Sequence, residues 1–167
     1  MNGTKLQKWW FIRGAQQGFT LIELMVVVVI IAIIAAISYP AYTSSVVKTK
    51  RAAAEGCLSQ YVNFMERFYT INQRYDQALG ANPQANPVLA PATLTLDCAS
   101  NANSGSDYSF SVTATSPTAT PPNTFTVTAT PIGAQGARDT LCGAVSVNHL
   151  SRRFDATGAS GGSPDCW

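Results

Sequence analysis

A continuous run of apolar residues near the beginning of the chain predicts a helix that spans a membrane. Every residue from 24 to 37 is apolar, and the 19 residues from 19 to 37 can cross a hydrocarbon core of roughly 30 Å as an α-helix. In lipid the backbone must satisfy its own hydrogen bonds, and a helix does so locally. Because no polar stripe interrupts the run, it does not fit an amphipathic helix in the core of a globular protein.

The pattern then changes to the period of an amphipathic helix. Apolar residues recur at spacings of three and four on one face: Ala54, Cys57, Leu58, Tyr61, Met65 and Phe68. This spacing extends the predicted helix to about residue 68. Arg51 and Glu55 stand one turn apart, where opposite charges stabilise a helix. Pro40 lies between the two parts and should kink the helix, because it lacks an N–H and its ring clashes with the preceding turn.

Three later segments alternate apolar residues with serine, threonine or alanine, which is the pattern of half-buried antiparallel strands. They cover residues 108–115, 125–130 and 143–147. Their apolar side chains should pack on the apolar face of the helix, which gives an α+β fold. The connectors 72–96 and 116–123 contain several prolines and are predicted to be surface loops.

Positive charge is concentrated before the apolar run. Lys5, Lys8 and Arg13 precede Gly18 without any acidic residue, and this arrangement predicts a cytoplasmic N-terminus. Without these three, eight basic residues stand against nine acidic ones. That near-neutral balance argues against a dedicated polyanion-binding protein but leaves a local basic patch open. A secretory signal has its small-residue cleavage site after the apolar run, whereas here the small residue, Gly18, precedes it.

A single carboxylate, Glu23, lies inside the apolar run. An unpaired charge at such a position costs at least a few kcal/mol in lipid. Two interpretations remain open. Glu23 is either a first-turn glutamate favoured by the helix dipole, or the partner of a cation such as a free amine on Phe19 of a second copy.

The four cysteines indicate disulfides. An even number of spread cysteines downstream of a membrane-targeting segment is typical of an oxidising compartment. Four cysteines allow three connectivities, and the sequence does not decide between them. We favour Cys57–Cys98, which would fasten the end of the first connector to the helix, and Cys142–Cys166, which would tie down the C-terminus.

The chain shows no pattern of catalytic or ligand-binding residues. The cysteines form no CxxC pair, the only histidine is His149, and neither a phosphate-binding loop nor paired carboxylates stand on a predicted scaffold. We therefore predict no catalytic residue, no metal site, no cofactor and no small-molecule substrate. This composition favours a structural or binding protein over an enzyme.

Two adjacent arginines, Arg152 and Arg153, lie between Cys142 and Cys166 and form the one candidate binding patch. Held in a disulfide-closed loop, with Arg138 as a further candidate nearby, they could contact DNA phosphates in a salt-dependent manner. The alternative interpretation is a pair of solvated arginines on a loop.

The segment Gly18-Phe19-Thr20-Leu21-Ile22-Glu23-Leu24, after a short basic leader, resembles the N-terminal signature of type IV pilins and pseudopilins. The position of Pro40 is similar to that of the helix-kinking proline of many pilins. Residues 57–76, 128–131 and 133–143 and the terminal Cys-Trp resemble the PilE-like subgroup of minor pilins.

This resemblance implies a division of the chain and roles for single residues. Residues 1–18 would be a class III prepilin leader, 19–46 a transmembrane and filament-core helix, and 47–167 a periplasmic or extracellular α+β domain. A prepilin peptidase would cut between Gly18 and Phe19 and methylate the Phe19 amine. Glu23 would pair with that amine on a neighbouring subunit.

The resemblance also implies a fold, a function and partners. The long helix would lie across an antiparallel sheet, and Cys142–Cys166 would bound the variable C-terminal loop. The protein would be a type IV pilus subunit, and the subgroup favours a minor pilin that supports pilus biogenesis, twitching motility, adhesion or DNA uptake.

Its partners would be other pilin subunits, the prepilin peptidase, the inner-membrane assembly machinery, and DNA or a surface. Before assembly it would be a single-pass inner-membrane protein, and afterwards part of an extracellular pilus. A type II secretion pseudopilin and a DNA- or surface-binding minor pilin are the alternatives. One departure from the family leaves a turn type open, because residues 149–153 contain no glycine.

Overall fold

The computed structural model describes residues 18–89, 93–158 and 161–167, and it confirms the predicted α+β class. The predicted leader, except for Gly18, lies outside the described residues. In chain order the helices and strands are α1 (Leu21–Asn72), β1 (Tyr108–Ala114), β2 (Phe125–Pro131), α2 (Gly133–Arg138), β3 (Val145–Asn148) and β4 (Arg153–Phe154). Two single 3-10 turns, Asp97–Ala99 and Ser104–Ser106, precede β1.

Helix α1 is one continuous helix of 52 residues that contains Pro40. It ends four residues later than the sequence predicted. The Asn72 side-chain amide donates to the carbonyl oxygen of Phe68, and Gln73 then adopts a left-handed φ of 54°, a common way to terminate a helix. The kink at Pro40 stays a prediction.

The contacts of the chain divide it into two units, Met1–Ala41 and Tyr42–Trp167. In the first unit every described residue is exposed, although nearly all of its side chains are apolar. By its length and composition, α1 could cross a membrane. None of the residues in its most apolar stretch of 18 is buried. Such a surface is stable only against lipid or other protein.

The second unit has its own hydrophobic core, formed by the later half of α1 and one face of the sheet. The helix contributes Ala54, Cys57, Leu58, Tyr61 and Met65, as its spacing predicted. The sheet has the order β1-β2-β3-β4 and is antiparallel throughout. Across it the buried valines Val112, Val127 and Val147 stand opposite one another in register.

The connector between α1 and the sheet is partly buried, so the prediction of a surface loop was wrong there. Tyr75 and Val88 belong to the core. Asn86 is also buried, and its side-chain amide donates to the carbonyl oxygen of Tyr75 over 2.9 Å. Because this buried amide is hydrogen-bonded, the connector can carry a polar residue into the core without a large desolvation penalty.

The structure contains the disulfides Cys57–Cys98 and Cys142–Cys166, the two pairs favoured on the sequence. Their Cα atoms are 5.4 Å apart in both pairs, within the usual range for a disulfide. The first links α1 to the 3-10 turn before β1. The second closes a loop that contains β3 and β4.

A buried ion pair connects α1 to Asp139, which directly follows α2. The Nε of Arg51 donates to Asp139 over 3.0 Å, and the Tyr108 hydroxyl donates to the same carboxylate over 2.7 Å. Gln135 donates to the Tyr108 oxygen over 3.0 Å, and the Nη1 of Arg51 donates to the carbonyl oxygen of Asp165 over 2.9 Å. Arg51 thus bonds to Asp139, 88 residues later in the chain, rather than to Glu55, one helical turn away.

The environment of this pair favours its charged form. Burial alone would raise the pKa of the Asp139 carboxyl, but hydrogen bonds from Arg51, Tyr108 and Gln135 outweigh that effect and lower it. Burial likewise opposes the charge of Arg51, yet the bond to Asp139 raises the pKa of its guanidinium. For Tyr108, burial and the bond to Asp139 raise the pKa of the hydroxyl.

We predict that Asp139→Asn destabilises the domain by about 3–5 kcal/mol, because it leaves the buried guanidinium of Arg51 without a counter-charge. The matched control is Lys50→Gln, which removes the more exposed pair Lys50–Asp107 and should cost about 1 kcal/mol or less. Denaturant unfolding of the full-length protein in detergent, followed by near-ultraviolet circular dichroism, measures both. Equal losses in the two variants would contradict the prediction.

The same pair should make stability depend on pH in acid. Because the pKa of Asp139 is lower in the folded chain, its contribution is present above the unfolded value of about 3.9 and is lost as pH falls through the folded value. The wild type should therefore lose stability below about pH 4 more steeply than Asp139→Asn. Parallel curves would contradict this assignment.

Candidate functional site

The turn between β3 and β4 is built without glycine, and the structure shows how. We call residues 149–153 the arginine turn. The Asn148 Oδ1 accepts hydrogen bonds from the backbone N–H groups of Leu150 and Arg152, each over 3.0 Å. Ser151 takes the left-handed φ of 55° that a glycine would otherwise supply. The backbone of Arg152 is thereby held on both sides, since its carbonyl oxygen accepts from Asn148 N over 3.1 Å.

Arg152 and Arg153 are both exposed, and neither belongs to an ion pair among the described residues. Three other basic side chains have carboxylate partners, namely Lys50 with Asp107, Arg51 with Asp139, and Arg74 with Asp76. Lys48, Arg67 and Arg138 are exposed and also lack an ion pair among the described residues, but none of them adjoins another basic residue in the sequence. The arginine turn therefore presents two adjacent positive charges that the described part of the domain does not neutralise by direct contact.

Arg153 also contacts the C-terminal tryptophan. Its guanidinium carbon lies 5.2 Å from the centroid of the Trp167 ring, a cation–π distance. Trp167 follows Cys166, which the disulfide ties to Cys142. The carbonyl oxygen of Arg153 accepts a hydrogen bond from Gly161 N over 2.8 Å. Strand β4 and residues 161–167, which we call the C-terminal segment, thus hold each other in place.

Beside this contact lies a cleft of about 370 Å³ between α1 and the edge of the sheet. Arg153 and Trp167 line one side, and Glu55, Ser59 and Asn63 line the other from successive turns of α1. Burial raises the pKa of the Glu55 carboxyl, while the charges of Arg51 and Arg153 act in the opposite direction. The cleft thus places a carboxylate in the electrostatic reach of Arg153.

The carboxylate of Asp155, which directly follows β4, accepts hydrogen bonds from its own loop. The buried Asp155 accepts from Thr157 N over 2.9 Å, from the Thr157 hydroxyl, and from Ser163 N over 2.7 Å. The hydroxyl bond, more than any other contact, lowers the pKa of Asp155. This carboxylate therefore organises the loop instead of pairing with an arginine of the turn.

The remaining sequence-predicted residues lie elsewhere. Gly18, Phe19 and Glu23 are all exposed, and the Glu23 N–H donates to the Thr20 hydroxyl over 3.3 Å at the start of α1. Arg138 is exposed in the last turn of α2, outside the loop that Cys142 closes. Among the described residues no group of three or more histidine, cysteine or acidic side chains could hold a metal ion.

Two family models match adjoining parts of this chain. Residues 13–39 match the prokaryotic N-terminal methylation motif. Residues 40–146, more than half of the 167 residues, match the model described as type IV minor pilin ComP, DNA uptake sequence receptor. The chain belongs to this family of type IV minor pilins. A search of the curated proteins finds no match.

The family membership confirms the resemblance to minor pilins and the predicted function as a type IV pilin. The family is structural rather than catalytic, and a minor pilin has other pilin subunits as partners. The methylation motif and the exposed apolar part of α1 fit a membrane-anchored pilin. These matches favour a pilus subunit over the secretion pseudopilin.

The matched residues of this minor pilin end at Ser146, within β3, so the arginine turn lies beyond them. A role for Arg152 and Arg153 therefore rests on the geometry of this chain. Sequence reasoning found the two arginines but missed the cation–π contact of Arg153 with Trp167. The available signal was the C-terminal Cys-Trp, because a disulfide fixes the neighbouring aromatic ring.

We predict that the double variant Cys142→Ser/Cys166→Ser loses about 2–4 kcal/mol of stability, because the unfolded chain regains freedom. Hydrogen exchange of β4 and of the C-terminal segment should accelerate selectively. The matched control, Cys57→Ser/Cys98→Ser, should lose a comparable amount but leave those amides protected. Equal acceleration of β4 in both variants would show that the C-terminal disulfide does not locally fix the arginine turn.

Proposed function

We propose that this minor pilin captures DNA through Arg152 and Arg153 of the arginine turn. The observation that carries the proposal is the pair of adjacent, exposed guanidinium groups without an ion-pair partner among the described residues. They stand on a turn that Asn148 holds by four hydrogen bonds.

Two properties of the chain favour a nucleic acid as the ligand. A guanidinium group offers a planar fork of donors that matches phosphate oxygens, and two adjacent arginines can contact successive phosphates. The family description names a receptor for a DNA uptake sequence, which supports DNA over another polyanion. Because the rest of the chain is nearly neutral, attraction to DNA would be concentrated at such a local patch.

We predict that Arg152→Gln/Arg153→Gln weakens binding of a DNA duplex by the full-length protein in detergent micelles. If each arginine neutralises one phosphate, the slope of log affinity against log salt should become shallower by about 1.8. Fluorescence anisotropy of labelled DNA across a salt series measures both quantities.

The control for this measurement is Lys48→Gln/Arg67→Gln, which removes the same charge from two exposed positions on α1. Circular dichroism should show all variants folded. A similar loss in both double variants would mean that only total charge matters, and the arginine turn would not be the DNA contact.

For assembly, we propose that a prepilin peptidase cuts between Gly18 and Phe19 and methylates the Phe19 amine. Glu23 then pairs with that amine on a neighbouring subunit as the inner-membrane machinery adds the pilin to the filament. Support comes from the methylation motif over residues 13–39 and from Glu23 in the first turn of an exposed apolar helix. The division of the chain into a leader (1–18), a transmembrane and filament-core helix (19–46) and a domain (47–167) is part of the same proposal.

The proposed route also sets the topology. The basic leader keeps the N-terminus in the cytoplasm, and the domain lies on the periplasmic side of the inner membrane until assembly carries it to the extracellular pilus. An oxidising periplasm agrees with two disulfides in the domain.

We predict that Glu23→Ala leaves the protein in the membrane but removes it from pili, because the neighbour's amine loses its counter-charge. Mass spectrometry of membrane fractions and purified pili measures both pools and detects the cut and the methyl group. Asp97→Ala, which removes an exposed carboxylate from the domain, is the control. Unchanged incorporation of Glu23→Ala would overturn the proposed role of Glu23.

A further inference from the structure

The Trp167 ring is held in place by its neighbours in the chain. Cys166, directly before it, is bonded to Cys142 and is itself buried. Gly162 packs against the ring so closely that a methyl group on it would lie 2.0 Å from the Trp167 Cδ1. The Trp167 Nε1 is buried and has no acceptor among the described residues. Packing and the disulfide, rather than a hydrogen bond of the indole, therefore set the position of the ring.

Arg153 is held at both its backbone and its side chain. Arg153 pairs with Val147 in the sheet, its carbonyl oxygen accepts from Gly161, and its guanidinium lies over the ring of Trp167 at a cation–π distance. Arg152 has the backbone bonds of the turn, but the described residues provide no ring contact for its side chain. The two arginines of the turn are therefore not equivalent.

We propose that Trp167 is a positioning residue for DNA binding, which fixes the guanidinium of Arg153 for contact with a DNA phosphate. A guanidinium that lies over a ring face can still donate hydrogen bonds through the N–H groups that point away from the ring. A side chain that is ordered before binding loses less conformational entropy when it binds. This inference rests on the proposed DNA contact at Arg153.

The cleft gives a second reason for such a support. Glu55 lies on the other side of the cleft and interacts electrostatically with Arg153. A freely rotating Arg153 could turn toward this carboxylate, and its charge would then be partly neutralised. The indole holds the guanidinium on the ring instead, so that its charge stays available to an external anion.

The test is a double-mutant cycle on the full-length protein in detergent micelles, with labelled DNA duplex as the probe. Trp167→Leu should weaken binding about three- to tenfold in the wild-type background, which corresponds to the cost of ordering one long side chain. It should have no further effect in an Arg153→Gln background, because no guanidinium remains to be positioned. Trp167→Phe should retain most of the affinity, since it keeps an aromatic ring under Arg153.

The salt dependence separates positioning from direct contact. Arg153→Gln should make the salt slope shallower by about 0.9, whereas Trp167→Leu should make it shallower by less than that, because Arg153 keeps its charge and still contacts the phosphate for part of the time. A fluorescence measurement adds an independent readout. With Trp9→Phe and Trp10→Phe, Trp167 is the only tryptophan left, so DNA should change its emission in the wild-type background and less in Arg153→Gln.

The results separate the positioning role of Trp167 from the proposed DNA contact at Arg153. If Arg153→Gln binds DNA as the wild type does, the proposed contact at Arg153 fails. If Arg153→Gln weakens binding but Trp167→Leu does not, or if Trp167→Leu weakens it equally in both backgrounds, the positioning role is overturned. Should Trp167→Leu misfold, the comparison of Trp167→Phe with Arg153→Gln decides, and a loss with Phe equal to that with Gln would overturn it.

Discussion

The domain depends on one buried ion pair, Arg51 with Asp139. A buried charge is tolerated only when its partners satisfy it, and here every member of the surrounding network has a bond. Arg51 comes from the long helix, Tyr108 from the first strand, and Asp139 from the end of the short helix. The pair therefore fixes the helix, the sheet and the segment before Cys142 relative to one another, which apolar packing alone does with less directional precision.

The long helix has two parts with different surroundings, and its sequence differs between them. Between residues 24 and 37 it offers only apolar side chains, all of them exposed in the single chain. From Ala54 to Met65 it buries one face against the sheet. Val47 and Arg51 are the first buried residues of α1, and the ion pair of Arg51 with Asp139 thus lies near the beginning of the buried face.

Periodicity made much of this architecture predictable, because a helix or strand repeats its pattern over several residues. The long helix and three strands came from such local signals, whereas the preferred disulfides came from asking which segments each pair would fasten. Strand β4 has two residues and α2 has six, too few to establish a period. The sequence predicted that Arg51 pairs with Glu55, one helical turn away. In the structure Arg51 bonds to Asp139, which is 88 positions away in the sequence. Local spacing carries no information on such a contact.

The arginine turn and the buried pair are physically linked through the C-terminal segment. Residues 158–163 are mostly glycine and serine, so this segment has little apolar surface with which to hold itself. It relies on the Cys142–Cys166 disulfide, on Asp155, and on the bond from Arg51 to the carbonyl oxygen of Asp165. Asp165 is two residues before Trp167, and the guanidinium of Arg153 lies over the Trp167 ring. The interaction that locks the helix to the sheet therefore also helps to determine where the exposed charge of Arg153 is presented.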